Sequence, residues 1–375
     1  MKTLKLFTLI YVILCTLQDI SAQVYTNIIV GEKNEEIKDS IINQAYPYAL
    51  PIWGAAATAK GYELPYSAGL GINYFWQESD LLIENLSVGF NNGPMYDLNE
   101  IIRFNSAVSR ANSINIRPDF WLFPFLNIYG IFAKAKTSTA IDAGLWIPDA
   151  SGSWNEISSF STKAEFEATG MGLGLTPTIG VGGGWLALDM NMLWTDVSAL
   201  DKPVFTIVFG PRAGKTFQLR NPESNIAFWV GAFRLNFSSE TNGSINLSEI
   251  LPTDNLQTRV DAGLVKVGET SAEVEGWWES LTALEQKNPG NIAKYETANR
   301  ALETAGNVLN SIDGALNDEN YASVQYSLEK RLKDKWNFVV GTQYQINRHF
   351  MVRAEYGFLG SRKQFIGGLQ YRFGI

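Results

Sequence analysis

The 375-residue sequence predicts an all-β fold: a transmembrane, antiparallel, up-and-down β-barrel of about twelve strands with a helical insertion. Three observations predict it. An N-terminal export signal is followed by no second long apolar run. Segments of about ten residues alternate apolar and polar side chains up to Ile375, and their apolar faces end in aromatics.

Residues 1–22 begin with Lys2 and Lys5, continue through an apolar stretch from Leu6 to Leu17, and end in Ile20-Ser21-Ala22. Cleavage after Ala22 is expected to leave Gln23 first. Cys15, the one cysteine, lies inside this signal, and Leu14 before it is not the small residue that lipid attachment needs. The mature chain then has neither disulfides nor thiolate chemistry. Mean hydropathy is -0.06, below what a helical membrane protein needs, and no run of about 18 apolar residues follows the signal. A net charge of -8 and a pI near 5.0 exclude general nucleic-acid binding, which requires a basic surface to displace counterions from phosphates.

A chain without spanning helices crosses a bilayer only as a closed sheet, because every backbone polar group must find a partner inside the protein. Reading back from the C-terminus, Phe365, Gly367, Leu369, Tyr371, Phe373 and Ile375 share one face, against Gln364, Gly368, Gln370, Arg372 and Gly374; Ile366 breaks the contrast. Strands at 350–358 and 336–346 alternate likewise, joined by Asn347-Arg348 and Gly360-Ser361. Upstream, the pattern recurs at 66–76, 114–122, 164–174, 186–194, 205–213 and 227–237. Residues 126–136 fit neither phase well and are inferred from their neighbours. Asn242-Gly243 signals a hairpin leading into 244–250, and 321–331 supplies one more strand. A soluble sandwich alternates too, but it buries its apolar face. Here Tyr66, Trp76, Trp194, Trp336, Tyr344, Tyr356, Tyr371 and Phe373 are placed to form aromatic girdles at the membrane interfaces.

Leu64-Pro65-Tyr66 running into Gly69-Leu70-Gly71-Ile72-Asn73-Tyr74, together with Arg353-Ala354-Glu355-Tyr356-Gly357-Phe358 and the ending Tyr371-Arg372-Phe373-Gly374-Ile375, resembles the outer-membrane barrels of Gram-negative bacteria, in particular those of the Bacteroidota group. The resemblance covers about two thirds of the mature chain. It implies a barrel in the cell outer membrane, with membrane lipid and the barrel-assembly machinery as partners, and carries no activity to transfer. Assembly signals in such families finish on an aromatic residue, whereas this chain ends on Ile375.

With both termini in the periplasm, 77–110, 137–161 and 195–202 become extracellular loops, and turns near Pro124, Pro177 and Asn221-Pro222 become periplasmic. The chain then divides into a signal peptide (1–22), a periplasmic or plug segment (23–65), barrel strands (66–250), a helical insertion (251–320) and C-terminal strands (321–375). Two helices broken at Asn288-Pro289-Gly290 are expected within 271–318. Tyr295, Ala298, Leu302, Ala305, Leu309, Ile312 and Leu316 make one apolar stripe. The pair either packs on itself or the rim, plugs or caps the lumen, or docks a periplasmic protein. Strand parity puts it on the periplasmic side.

Enzymatic signatures are absent by residue type, and no cofactor or metal is predicted. His349, the sole histidine, reads as an exposed turn residue, at the wrong end for a lipid hydrolase. Gly210-Pro211-Arg212-Ala213-Gly214-Lys215-Thr216 has one residue too few for a phosphate loop, and Gly180 to Gly184 reads as a kinked strand start. The lumen charges are more informative. Arg117, Asp119, Arg212, Arg353, Glu355 and Arg372 are expected in its periplasmic half, and Lys163, Glu165, Glu167, Asp189 and Arg234 in its outer half. They form either an ion-pair network closing a narrow barrel or a positive constriction that filters solutes or binds an acidic plug such as Glu32 to Glu36. The function expected is a passive channel or small-solute transport barrel. The alternative is a non-conducting structural or adhesive barrel presenting extracellular loops.

Overall fold

The computed structural model describes residues 45–198, 202–236, 239–247, 255–317 and 323–375. The expected signal peptide and the acidic stretch at 32–36 lie outside the described residues. A short helix α1 (Gly54–Ala59) precedes β1 (Ala68–Phe90), the two-residue β2 (Tyr96–Asp97), β3 (Ile102–Phe123), β4 (Leu126–Pro148), β5 (Trp154–Val181), β6 (Gly184–Val197), β7 (Val204–Gln218), β8 (Asn225–Asn236) and β9 (Ser239–Asn246). Helices α2 (Leu256–Ser280) and α3 (Pro289–Leu316) follow, then β10 (Ser323–Leu332), β11 (Trp336–Gln345), β12 (Phe350–Phe358) and β13 (Arg362–Phe373).

Among the described residues, ten strands close the barrel: β1, β3 to β8 and β11 to β13, each antiparallel to its neighbours. Closure is made by β1, which pairs with β3 on one edge and with β13 on the other, from Ala68↔Phe373 to Ser79↔Arg362. Two strands counted from the sequence leave the wall. Past Ser79, β10 takes over the edge vacated by β13 (Leu81↔Leu332), and among the described residues β9 pairs with β10 alone. Asn242-Gly243 is therefore ladder, paired to Ser327 and Tyr326, and not a hairpin turn. The expected loops 77–110 and 137–161 are mostly strand, because β1, β3, β4 and β5 continue for 22–28 residues while β11 and β12 have 10 and 9. Pro177 sits inside β5; the turn that follows is Gly182-Gly183, both at positive φ (58° and 78°), the pairing a two-residue hairpin needs.

Removing β9 and β10 from the wall reverses the parity argument for the helices. β8 ends at the rim opposite the termini, β11 starts there, and everything between stays at that end. So α2 and α3 lie opposite the termini and not beside them. Asn288 caps α3, its side chain accepting from the Gly290 amide at 2.8 Å with Pro289 at the first helical position, which is why the break falls there. The stripe on α3 (Ala298, Ala301, Leu302, Ala305, Leu309) packs against Val260, Val267 and Val274 of α2. Both helices lie against the inner side of the tall wall, on Leu145 and Ile147 of β4 and on Leu98 and Ile101 of the β2–β3 connection. The tall half of the wall is thus a cradle for the helix pair.

On the short half, exposed apolar residues form a belt between two girdles. Tyr344, Phe350, Tyr371 and Phe373 lie toward the termini, and Trp194, Trp336, Tyr356 and Phe365 toward the far end. Phe365 and Phe373 are eight residues apart, about 26 Å along the strand and roughly 20 Å along the axis at a 40° tilt, close to the apolar height of such barrels. All eight aromatics assigned to the interfaces fall in these two zones, with Tyr66 packed at a tilt against His349 at the near rim and Trp76 opposite Phe365 at the far one. Beyond the far girdle the outer face turns charged at Glu78–Arg110 (2.7 Å) and Lys163–Glu165 (2.6 Å).

Candidate functional site: the lumen

Seven of the eleven charges assigned to the lumen point into it: Arg117, Asp119, Asp189, Arg212, Arg353, Glu355 and Arg372. Four point outward. Lys163, Glu165 and Glu167 share the face of the exposed Met171 and Leu173, are 58–69% exposed, and belong to the charged outer collar with Lys134 and Lys136. Arg234 lies over the outward ring of Trp336 at 5.7 Å. On β8 both faces are apolar, and on β5 the outer face runs from charged to apolar, so neither phase is fixed locally. On β8, Phe228 and Val230 face lipid while Trp229 and Phe233 fill the interior.

The centre of the lumen is an ion-pair layer. Arg212 on β7 donates to both oxygens of Glu355 on β12 (Nε at 2.6 Å, Nη2 at 2.9 Å), reaching past β8 and β11, and its Nη1 donates to Asp189 on β6. Trp229 Nε1 donates to Glu355 at 2.7 Å, and Thr176 donates to Asp189. All three charges are buried. Leaving one alone would cost several kcal/mol, so the layer stands because each has its counter-charge and hydrogen bonds. A second pair lies nearer the termini. Asp119 accepts from Asn127 (2.8 Å), Gln370 and Arg372 (3.1 Å), and Arg372 Nε donates to the Tyr66 carbonyl at 3.0 Å. These reaches need inward glycines on the strand crossed. A Cβ at Gly174 would fall inside the ring of Tyr129, whose hydroxyl bonds Asn191 two strands away; one at Gly341 would fall inside Trp229.

From this layer toward the termini the lumen opens into a chamber of about 790 Å³. Arg117, Arg353, Asn73, Gln343, Gln370 and Trp185 line it, and residues 45–48 and 58–66 form part of its mouth. That mouth segment is fastened to the rim by Leu50 N donating to Ile375 O (3.2 Å) and Ile52 N to Leu122 O (2.9 Å). Burial holds the Glu63 carboxyl above its ordinary range; Arg348, 3.6 Å away, pulls it down and Glu223 pushes it up. His349 is half-buried, because its ring packs between Tyr66 (4.7 Å) and Tyr371 (5.5 Å) with Nδ1 2.8 Å from the Arg372 carbonyl oxygen. The turn is thus a rim fastening and not an exposed corner.

Away from the termini the lumen is filled. Phe233, Val339 and Val208 pack together, with Gln364, Asn337, Ser79 and Arg362 beside them and Leu81, Ala107 and Leu332 beyond; none is more than 9% exposed. Arg362 donates to the Phe233 carbonyl (2.6 Å) and Asn337 Oδ1 (2.9 Å) over the Phe233 ring. Sequence reasoning missed this filling, as it missed Tyr129, Trp185 and Trp229. Polar-apolar alternation alone assigns the polar side of each strand to the lumen, and here apolar side chains share that side.

No family model and no curated protein matches the chain. Among solved structures it is similar to an outer membrane channel from Pseudomonas putida F1 (10% identity over 82% of this chain and 96% of that one, TM-score 0.25). It is similar also to the transport unit of the autotransporter AIDA-I from Escherichia coli (10% identity, 82% and 90% covered, TM-score 0.30). A Pseudomonas aeruginosa FadL homologue aligns at 7% identity, with 82% and 90% covered and a TM-score of 0.26. These are barrels of Gram-negative bacteria, and at such scores they add nothing to the closure that the chain's own strand pairing establishes.

Proposed function

We propose that this chain is an outer-membrane barrel that handles a small polar solute, admitting it to the chamber from the side of the termini while the far half of the lumen holds a closed state. The chamber carries the reading: its volume is within the range of small-molecule sites, and polar and charged groups converge on it. The exposed apolar belt, the paired girdles and the outer charged collar support a membrane setting, and the resemblance to Bacteroidota barrels supports the outer membrane of that group. With the termini periplasmic, the chamber opens to the periplasm and the helix pair faces outside. A periplasmic protein then has no access to 271–318, which leaves lipid and the assembly machinery as partners. The reading is non-catalytic, since the inward acids are bound to arginines and His349 is spent on the rim.

The test is conductance and liposome swelling with the purified protein, beside a Phe233→Ala/Val339→Ala variant that empties the far half without touching the chamber. Little passage through the parent and clear passage through the variant are expected. No passage through either removes transport and leaves a second reading, favoured by the tightly filled far half: a non-conducting barrel whose tall wall and helix pair present a folded outer surface.

A further inference from the structure

Charge accounting in the near half leaves a surplus of hydrogen-bond donors. Four arginines (Arg117, Arg212, Arg353, Arg372) and three acids (Asp119, Asp189, Glu355) face inward. Each acid is saturated: Asp119 by Asn127, Gln370 and Arg372; Asp189 by Arg212 and Thr176; Glu355 by both arms of Arg212 and by Trp229. Arg212 is consumed in this way. Arg117 and Arg353 lend their charge to Asp189 but spend little of their hydrogen-bonding capacity on the acids.

The Arg117 guanidinium lies on the Tyr129 ring at 3.4 Å, with no ion pair among the described residues. Arg353, its side chain 27% exposed, lies over Trp229 at 4.9 Å and touches Glu355 only at 3.5 Å, through an oxygen that Arg212 and Trp229 already hold. A guanidinium carries five N–H donors in a planar fork and has no use for them on an aromatic face, which engages only the plane. Stacking fixes the plane and leaves the edges open, the arrangement that suits bidentate capture of a carboxylate or phosphate. We infer that the chamber is an oxyanion site for a small periplasmic solute bearing a carboxylate or phosphate group, held by Arg117 and Arg353. Asn73, Gln343 and Gln370 are lining amides suited to the rest of such a solute.

The inference deepens the solute-handling reading and rests on it for the ligand's route of arrival; binding and passage are measured separately, so either fails alone. Calorimetric titration of the full mature chain in detergent with inorganic phosphate and with citrate should give saturable binding by at least one of them and none by glucose or choline. Arg117→Gln/Arg353→Gln should lower affinity at least tenfold with heat-modifiable gel mobility unchanged. Should that pair fail to fold, Arg117→Lys and Arg353→Lys, which keep charge and lose the fork, should each weaken binding. Absence of saturable binding, or affinity equal in parent and variants, overturns the site. Binding that emerges only after Glu32, Glu35 and Glu36 are changed to Gln also overturns it, because the arginines then hold the chain's own acidic stretch. Binding without passage in Phe233→Ala/Val339→Ala keeps the site and removes transport. Passage without binding does the reverse.

Discussion

The near and far halves of the lumen are built by the same ten strands with the same alternation, and they end in opposite states. Toward the termini, inward positions carry arginines, acids and amides, with glycines such as Gly69, Gly71 and Gly368 between them, and a chamber remains. Away from the termini, Phe233, Val339 and Val208 fill the same cross-section. A barrel of this strand number is only a little wider than one that side chains fill outright. Charges must keep water or a counter-charge, so they hold space open; apolar side chains gain by meeting across the axis. The openness of this lumen is thus decided residue by residue and not by strand count.

Glu355 sits where the halves join, and changing it should give the largest effect. Glu355→Ala strands the buried Arg212 with only Asp189 and should cost about 3–5 kcal/mol. Arg117→Gln, which faces the chamber and releases no buried carboxylate, should stay within about 1 kcal/mol. Denaturant unfolding followed by heat-modifiable gel mobility measures both. Equal costs would erase the contrast between a hydrated chamber and a buried layer.

The strands from 336 to the C-terminus were legible because one face of each is plainly apolar. Phe338, Val340, Tyr344, Val352, Tyr356, Leu369 and Tyr371 all point outward as their alternation requires. Legibility failed where both faces are apolar. On β8 the choice between Phe228-Val230 and Trp229-Phe233 is undetermined locally, and only the register Trp336↔Arg234 sets it. On β5 the charged 163–167 and the apolar Met171-Leu173 share one outer face because the strand outgrows the membrane, and a window of ten residues cannot register that. The Arg212–Glu355 bond joins residues 143 apart in sequence, so no local pattern encodes it. The charges themselves were the usable signal: six of them were placed in the periplasmic half, and all six face the lumen on the near side or at the central layer.

The helix cradle offers an intermediate test of how independent the two ends are. Ala305 is fully buried between α3 and its surroundings. Ala305→Leu overpacks that contact and should cost about 1–3 kcal/mol. Because α2 and α3 pack on the tall strands and not in the chamber, the loss should surface as faster proteolysis at 281–288 with anion binding unchanged. Weakened binding instead would show that the two ends share one cooperative unit.

The smallest effect is expected at the chamber mouth, where burial raises Glu63 above its ordinary 4.5. A carboxyl raised on folding favours the folded state fully below its unfolded value and loses that contribution as pH climbs through the folded one. At pH 7 the ionised Glu63 is therefore a mild liability. Arg348 offsets it incompletely, because the contact is 3.6 Å and Glu223 competes for the same guanidinium at 3.8 Å. Glu63→Gln should raise the melting temperature slightly at pH 7 and leave it unchanged near pH 4, where the parent carboxyl already holds its proton. A drop at pH 7 would mean that the ion pair outweighs burial and that the mouth segment, like the central layer, is held in place by charge.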